Sequence, residues 1–245
     1  MEKTTAVNSK TVAIMISVGD RTHLSNITFK RLADWAARHG YDHKLIQQNY
    51  STLDKPPHFN KLVAHKIVPG YERYIIVDDD LVLRINAPAV PDVPRGHVGL
   101  CKDAVQTNTE APHVKWTGNT GFIIADKLGL PLLEEAYNDG VYSYNAGDGS
   151  GLGIWGPYDQ AALNNVIFKH DKAFELDQRW NYQPVIDFYA KGKGWDTWRS
   201  SKFYRVSFYL SLIWPFSKIR RILNEAYGIH MIMGVYPKFF SFIHR

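Results

Sequence analysis

An apolar run that stops on three carboxylates constrains this chain more than any other feature. Tyr74-Ile75-Ile76-Val77 has the β-branched composition of a short buried strand, and Asp78-Asp79-Asp80 follows at its carboxyl end, ahead of the apolar Leu81-Val82-Leu83. Adjacent carboxylates raise one another's pKa and oppose folding unless positive charge stands among them, so the pattern predicts a divalent cation. Residues i and i+2 of an extended segment share a side, which selects Asp78 and Asp80 as ligands and turns Asp79 away or onto the backbone. Oxygen ligands favour Mg²⁺ or Mn²⁺, ions that keep open positions for phosphates. A solvated acidic turn is the bland alternative, and it fits poorly a triplet held between two apolar runs.

The 245 residues have room for one α/β core with appendages. The single cysteine, Cys101, excludes an internal disulfide and suits a reducing compartment. No apolar run reaches the roughly 20 residues of a spanning helix, and Met1 to Lys10 is too polar for a signal peptide, so a cytoplasmic protein is expected. The net charge of +5 is unevenly placed. Residues 1–190 hold 19 Lys and Arg against 22 Asp and Glu, whereas residues 191–245 hold 10 against Asp196 and Glu225 alone. The expected division is therefore a mildly acidic body, 1–190, and a basic aromatic extension, 191–245. An anionic membrane surface suits the aromatic content of that extension better than nucleic acid, so peripheral contact with the inner membrane face is expected and no nucleic acid.

Taken in order, the chain alternates strands and helices. Residues 11–18 form an apolar run ending at Gly19-Asp20, a first buried strand and its loop. Asn26 to His39 has a helical period and stops at Gly40; Tyr41 to Gln47 is a second strand; Asn60 to Val68 is a second helix, before the Tyr74 strand. Such alternation predicts a Rossmann-like α/β fold with a mostly parallel sheet, its ligands at the carboxyl ends of the strands. Further on, Val98 to Lys102 reads as a strand, Thr117 to Gly121 as a polar turn feeding a strand at Phe122 to Ala125, and Lys127 to Tyr137 as a helix. The Gly-rich stretch 139–157 reads as a functional loop, Tyr158 to Phe168 as a helix and Ala173 to Leu176 as a strand. There is no internal repeat and no Walker or dinucleotide-type glycine motif.

The order of the polar clusters carries a resemblance. Lys61 precedes the acidic strand, and Asn119-Thr120-Gly121-Phe122, Asp159-Gln160, Trp180-Asn181 and a late His230 follow it. Ala36-Ala37-Arg38-His39-Gly40-Tyr41 echoes an entry helix. Over roughly residues 11–238 this set resembles the retaining A-type (GT-A) glycosyltransferases with an Asp-x-Asp motif. The resemblance implies that Asp78 and Asp80 bind Mn²⁺ (or Mg²⁺) with His230 as third ligand, and that the metal grips the diphosphate of a nucleotide-sugar donor, expected to be a UDP-hexose. Asp159 would accept from a sugar hydroxyl, Gln160 would stand near the anomeric carbon, and Asn119 would hold sugar or acceptor. Ser17 and Val18 would hold the nucleoside, with Lys61, Asp79 and Lys238 as further donor contacts. The spacing His230-x-x-x-Gly234-x-x-x-Lys238 is longer than the family's His-x-x-Gly-x-x-Lys, a departure that bears on Lys238. Trp155, Tyr158 and Trp180 are candidates to stack on sugar faces.

The expected activity is thus metal-dependent hexosyl transfer to a glycan or lipid-linked acceptor with retention of configuration. Two rivals stand beside it. Asp78-x-Asp80-x-Val82 also fits a haloacid-dehalogenase-type phosphohydrolase with Asp78 as nucleophile, although that family places this motif on its first strand and two strand–helix units precede it here. A non-catalytic sugar-nucleotide-binding or membrane-adaptor protein is the other.

Overall fold

A computed structural model describes residues 10–52, 55–104, 113–138, 159–190 and 201–231. Its centre is a six-stranded sheet built from β1 (Thr11–Ile16), β2 (Asp42–Ile46), β3 (Arg73–Asp78), β5 (Val98–Lys102), β6 (Gly118–Asp126) and β7 (Ala173–Leu176), in the order β2-β1-β3-β6-β5-β7. A two-stranded ribbon, β4 (Leu81–Leu83) with β8 (Gly228–His230), stands beside it. Helices α1 (Thr22–Arg38), α2 (Ala64–Ile67), α3 (Leu130–Asn138), α4 (Asp159–Lys169), α5 (Lys202–Ile213) and α6 (Lys218–Glu225) complete the order.

The uniform apolarity of β1 and β3 has a direct cause: both faces of the sheet are covered. Val12, Ile14, Tyr74 and Ile76 face a core shared with Leu133 of α3 and with Leu163 and Val166 of α4. Ala13, Met15, Ile75 and Val77 point the other way, onto Leu32, Trp35 and Ala36 of α1 and onto Phe122 and Trp180. α1 ends as its glycine foretells: Gly40 has φ +67°, and Tyr41 N–H donates to Ala36 O at 2.9 Å across the helix end, a Schellman closure.

The sheet is mostly parallel, as expected, with β6 running antiparallel to both β3 and β5. The reason lies in the connections, because β5 and β6 follow one another without a described helix to carry a parallel crossover. The polar segment expected as a turn is the buried start of β6, where Asn164 accepts from Gly118 N–H and donates to Gly118 O, both at 2.7 Å. Lys61 lies on a 3₁₀ turn, Pro57–Val63, that only then passes into α2. Helix α3 starts late because Asp126 Oδ1 accepts from Leu128 N–H and Gly129 N–H and holds that stretch as a turn.

The last described segment is built into the fold. β8 pairs antiparallel with β4, matching His230 to Leu81, and Met231 N–H donates to Asp80 O at 2.8 Å. Behind the ribbon, Val82, Tyr182, Val185, Ile229 and Met231 form a third core with Phe208 and Leu212 of α5 and Ile219 and Leu223 of α6.

Candidate active site

The carboxyl ends of β1 and β3, the start of β6, the start of α4 and the β4–β8 ribbon border one cavity of about 620 Å³. Asp78 is the last residue of β3 and Asp80 the last before β4, so a tight turn separates the two. His230, buried at 4% exposure, enters from β8 and places Nε2 3.0 Å from Asp80 Oδ1 and 3.8 Å from Asp78 Oδ2. One ligand atom from each of the three lies within 4.8 Å of the others. Ligands at about 2.1 Å from one hard cation sit about 3 to 4 Å apart, so the donor set fits such an ion with small adjustments.

Asp79 turns away from this group, and its partner is a side chain rather than the backbone. Arg21, in the loop after β1, grips it with two hydrogen bonds of 2.6 Å, from Nε to Oδ2 and from Nη2 to Oδ1. Lys61, 3% exposed, lies between Asp78 Oδ1 at 2.9 Å and Asp159 Oδ2 at 2.8 Å, and also donates to Thr120 O at 3.3 Å. Lys61 and Arg21 thus offset part of the charge of the acidic triplet before any metal is considered, so charge crowding is a weaker argument for an ion than the sequence suggests. The stronger argument for a metal is the convergence of the remaining oxygens with His230.

The pKa directions follow from this arrangement. Burial works against the His230 imidazolium, but Asp80 and then Asp78 outweigh it, and the proton is held above the usual histidine value. For Asp80, burial opposes the anion while His230, Arg21 and Lys61 prevail, so its carboxyl stands below the usual range. Asp78 is raised, because burial and the Asp80 charge exceed the help it receives from Lys61 and His230. Lys61 is raised despite burial, by Asp159 and Asp78.

A chain of amides sets the orientation of the histidine. Asn119 Nδ2 donates to Asp103 Oδ2 at 2.9 Å and its Oδ1 accepts from Gly121 N–H at 2.8 Å, which leaves its amide a single orientation. Asn181 Nδ2 donates to that same Oδ1 at 2.7 Å, so Asn181 Oδ1 faces His230 Nδ1 at 2.9 Å. An acceptor there requires Nδ1–H, and Nε2 is the nitrogen turned toward the carboxylates. Gly121 makes room for the ring, since a Cβ at that position would lie 2.6 Å from His230 Nδ1. Gln160 joins the network, donating to Asp103 Oδ2 at 3.0 Å and accepting from Thr120 N–H at 3.3 Å.

The cavity wall thus brings together Val18, Lys61, Asp78, Asp79, Asp80, Asn119, Asp159, Gln160 and His230 of the residues expected from sequence. Ser17 is buried beside Val18 and is not part of the wall. Trp180 is 2% exposed, stacked on Phe122 at 5.2 Å, and belongs to the core rather than to a sugar platform. Lys238, Trp155 and Tyr158 lie outside the described residues. Sequence reasoning missed Arg21, His58, Asp103 and Gln183 of the wall, and assigned Asn181 no role. The signal for Asp103 is slight, a carboxylate just past the end of β5; for Arg21 there is only its place after the first strand.

No protein-family model matches the sequence, and no curated protein matches it. Solved structures do. A glycosyltransferase involved in the glycosylation of the major capsid of PBCV-1 is similar with a TM-score of 0.59 and 14% identity, over 95% of this chain and 98% of that one. The galactosyltransferase LgtC, in complex with donor and acceptor sugar analogs, is similar with a TM-score of 0.54 and 10% identity, over 95% of each chain. The glycosyltransferase GlyE of Streptococcus pneumoniae TIGR4 is similar with a TM-score of 0.53 and 13% identity, over 96% of this chain and 62% of that one. At these identities the likeness is one of architecture: the chain has the GT-A glycosyltransferase fold.

Proposed function

We propose that this chain is a metal-dependent glycosyltransferase that moves a hexose from a UDP-linked donor to a glycan or lipid-linked acceptor, with retention of configuration. The observation that carries the reading is the convergence of Asp78, Asp80 and His230 on the cavity that Lys61, Asp159, Gln160 and Asn119 also line. Asp78, Asp80 and His230 would hold the cation, which when bound neutralises charge developing on the departing diphosphate. The protein's own residues do the rest. Asp159, at the start of α4 and 2.8 Å from the Lys61 ammonium, accepts from a donor hydroxyl. Gln160, held by Asp103 and Thr120, presents a fixed amide to the reacting carbon. Asn119, fixed by its hydrogen bonds to Asp103 and Asn181, holds the sugar or the acceptor. Val18, on the cavity wall just past β1, would meet the nucleoside, with Ser17 buried behind it.

The phosphohydrolase reading is less well supported, because Asp78 ends the third strand in chain order, not the first, in a fold shared with glycosyltransferase structures. The test is a screen of nucleotide-sugar donors, following nucleoside diphosphate release with Mn²⁺ and with a chelator. Mn²⁺-dependent release from one donor, lost in Asp80→Asn, is the expected result. Release of inorganic phosphate from phosphomonoesters, with no diphosphate from any sugar donor, would favour the rival.

A further inference from the structure

Helix α5 has two apolar faces, and only one packs against the described residues. Phe208 and Leu212 point into the third core. Phe203, Val206, Leu210 and Ile213, spaced three and four apart, form a stripe on the opposite side, exposed by 74, 56, 61 and 62%. Trp214 and Phe216, at 63 and 79%, continue the stripe past the helix end. The other large apolar side chains exposed among the described residues, Tyr50, Ile85 and Leu128, are scattered through the sequence. Contiguous apolar exposure of this kind marks an interaction surface.

We infer that this face of α5 docks on an anionic phospholipid surface. Charge decides among the possible occupants. Residues 201–225, through the end of α6, hold five Lys and Arg against Glu225 alone. Lys202 and Arg205 are exposed on α5 itself, and Arg221 is exposed on α6. A two-fold dimer through this face would set this excess of positive charge against itself, and residues 232–245, with Lys238 and Arg245 and no acid, would do the same. Anionic headgroups complement it, and the stripe's aromatic rings suit the headgroup boundary. An apolar stripe with basic flanks lying in the interface plane binds through both terms at once. The helix caps support the geometry: Ser201 Oγ accepts from Tyr204 N–H and Ser217 Oγ from Arg220 N–H, so each helix starts firmly without the membrane. The inference stands apart from the proposed chemistry, because none of these residues lines the cavity.

The experiment is co-sedimentation of the full chain with vesicles of phosphatidylcholine alone and of phosphatidylcholine with phosphatidylglycerol, beside analytical ultracentrifugation of the protein alone. The expected result is binding to the anionic vesicles only, weakened by salt. Binding should fall about tenfold or more both in Leu210→Gln/Ile213→Gln and in Lys202→Gln/Arg205→Gln/Arg221→Gln. All substituted positions are exposed, and circular dichroism checks the fold. Anionic-vesicle binding unchanged in the Leu210→Gln/Ile213→Gln variant overturns the inference. So does a concentration-dependent dimer that this variant disperses, which would assign the face to a second copy, and so does a monomer that binds neither vesicle.

Discussion

At the residue scale the site depends on hydrogen-bond direction as much as on charge. His230 can offer Nε2 to a cation only while its other nitrogen is held as a donor, and Asn181 holds it there. Leucine at 181 keeps the volume roughly and removes the acceptor. Asn181→Leu is therefore expected to weaken Mn²⁺ affinity about 10-fold to 100-fold, the usual cost of losing such a support. Calorimetry of Mn²⁺ binding in the parent, the two single variants and Asn181→Leu/His230→Ala measures it. If Asn181 acts through the ring, it adds nothing once the ring is gone. Losses that simply add would remove that role. Lys61 shows the same economy of charge, one buried ammonium serving Asp78 and Asp159 together, and so keeping two elements, β3 and α4, electrically joined.

At the element scale, local signals were readable where they had a local cause. The β3 strand and its acidic end follow from an apolar run that must stop, and the end of α1 from a glycine at a left-handed position. The direction of β6 was not readable, because a strand's apolarity says that it is buried and nothing about which way it runs. The partner of Asp79 was hidden for a related reason: Arg21 is 58 residues away, and a lone arginine after a strand carries no pattern. The metal set was only half readable, since Asp78 and Asp80 share a motif whereas His230 came from resemblance. One more element-level contact gives a pH test. Glu134 on α3 accepts from His65 and Lys66 of α2, each pair at 2.8 Å. Lys66 and then His65 hold its carboxyl below the usual glutamate value. A lowered folded-state pKa contributes stability above the unfolded value, about 4.3, and loses it as pH falls through the folded one. Glu134 is more than a third exposed, so the effect is under about 1 kcal/mol. Glu134→Gln should be slightly destabilised in urea at neutral pH and match the parent at about pH 3. An equal deficit at both would assign the loss to packing.

At the scale of the whole molecule, the acidic turn and His230 are about 150 residues apart in sequence and are joined by the β4–β8 ribbon. That ribbon also carries Val82 and Ile229 into the core under α5 and α6, so β8 and the site belong to one packed unit. A cation held by all three residues would clip the two ends of that unit together, and a ligand bound by the folded state alone stabilises it by mass action. At a Mn²⁺ concentration about 100 times its Kd the gain is about 2.7 kcal/mol. For a domain of this size that corresponds to a rise in Tm of roughly 5 to 10 °C. Thermal unfolding with Mn²⁺ and then with excess chelator measures it, and the chelator should restore the original midpoint. The rise should be lost in Asp80→Asn and in His230→Gln alike, since each removes one end of the clip. A rise that persists in His230→Gln but not in Asp80→Asn would mean that the ion is held by the acidic turn alone, and that His230 serves only the packing of the ribbon.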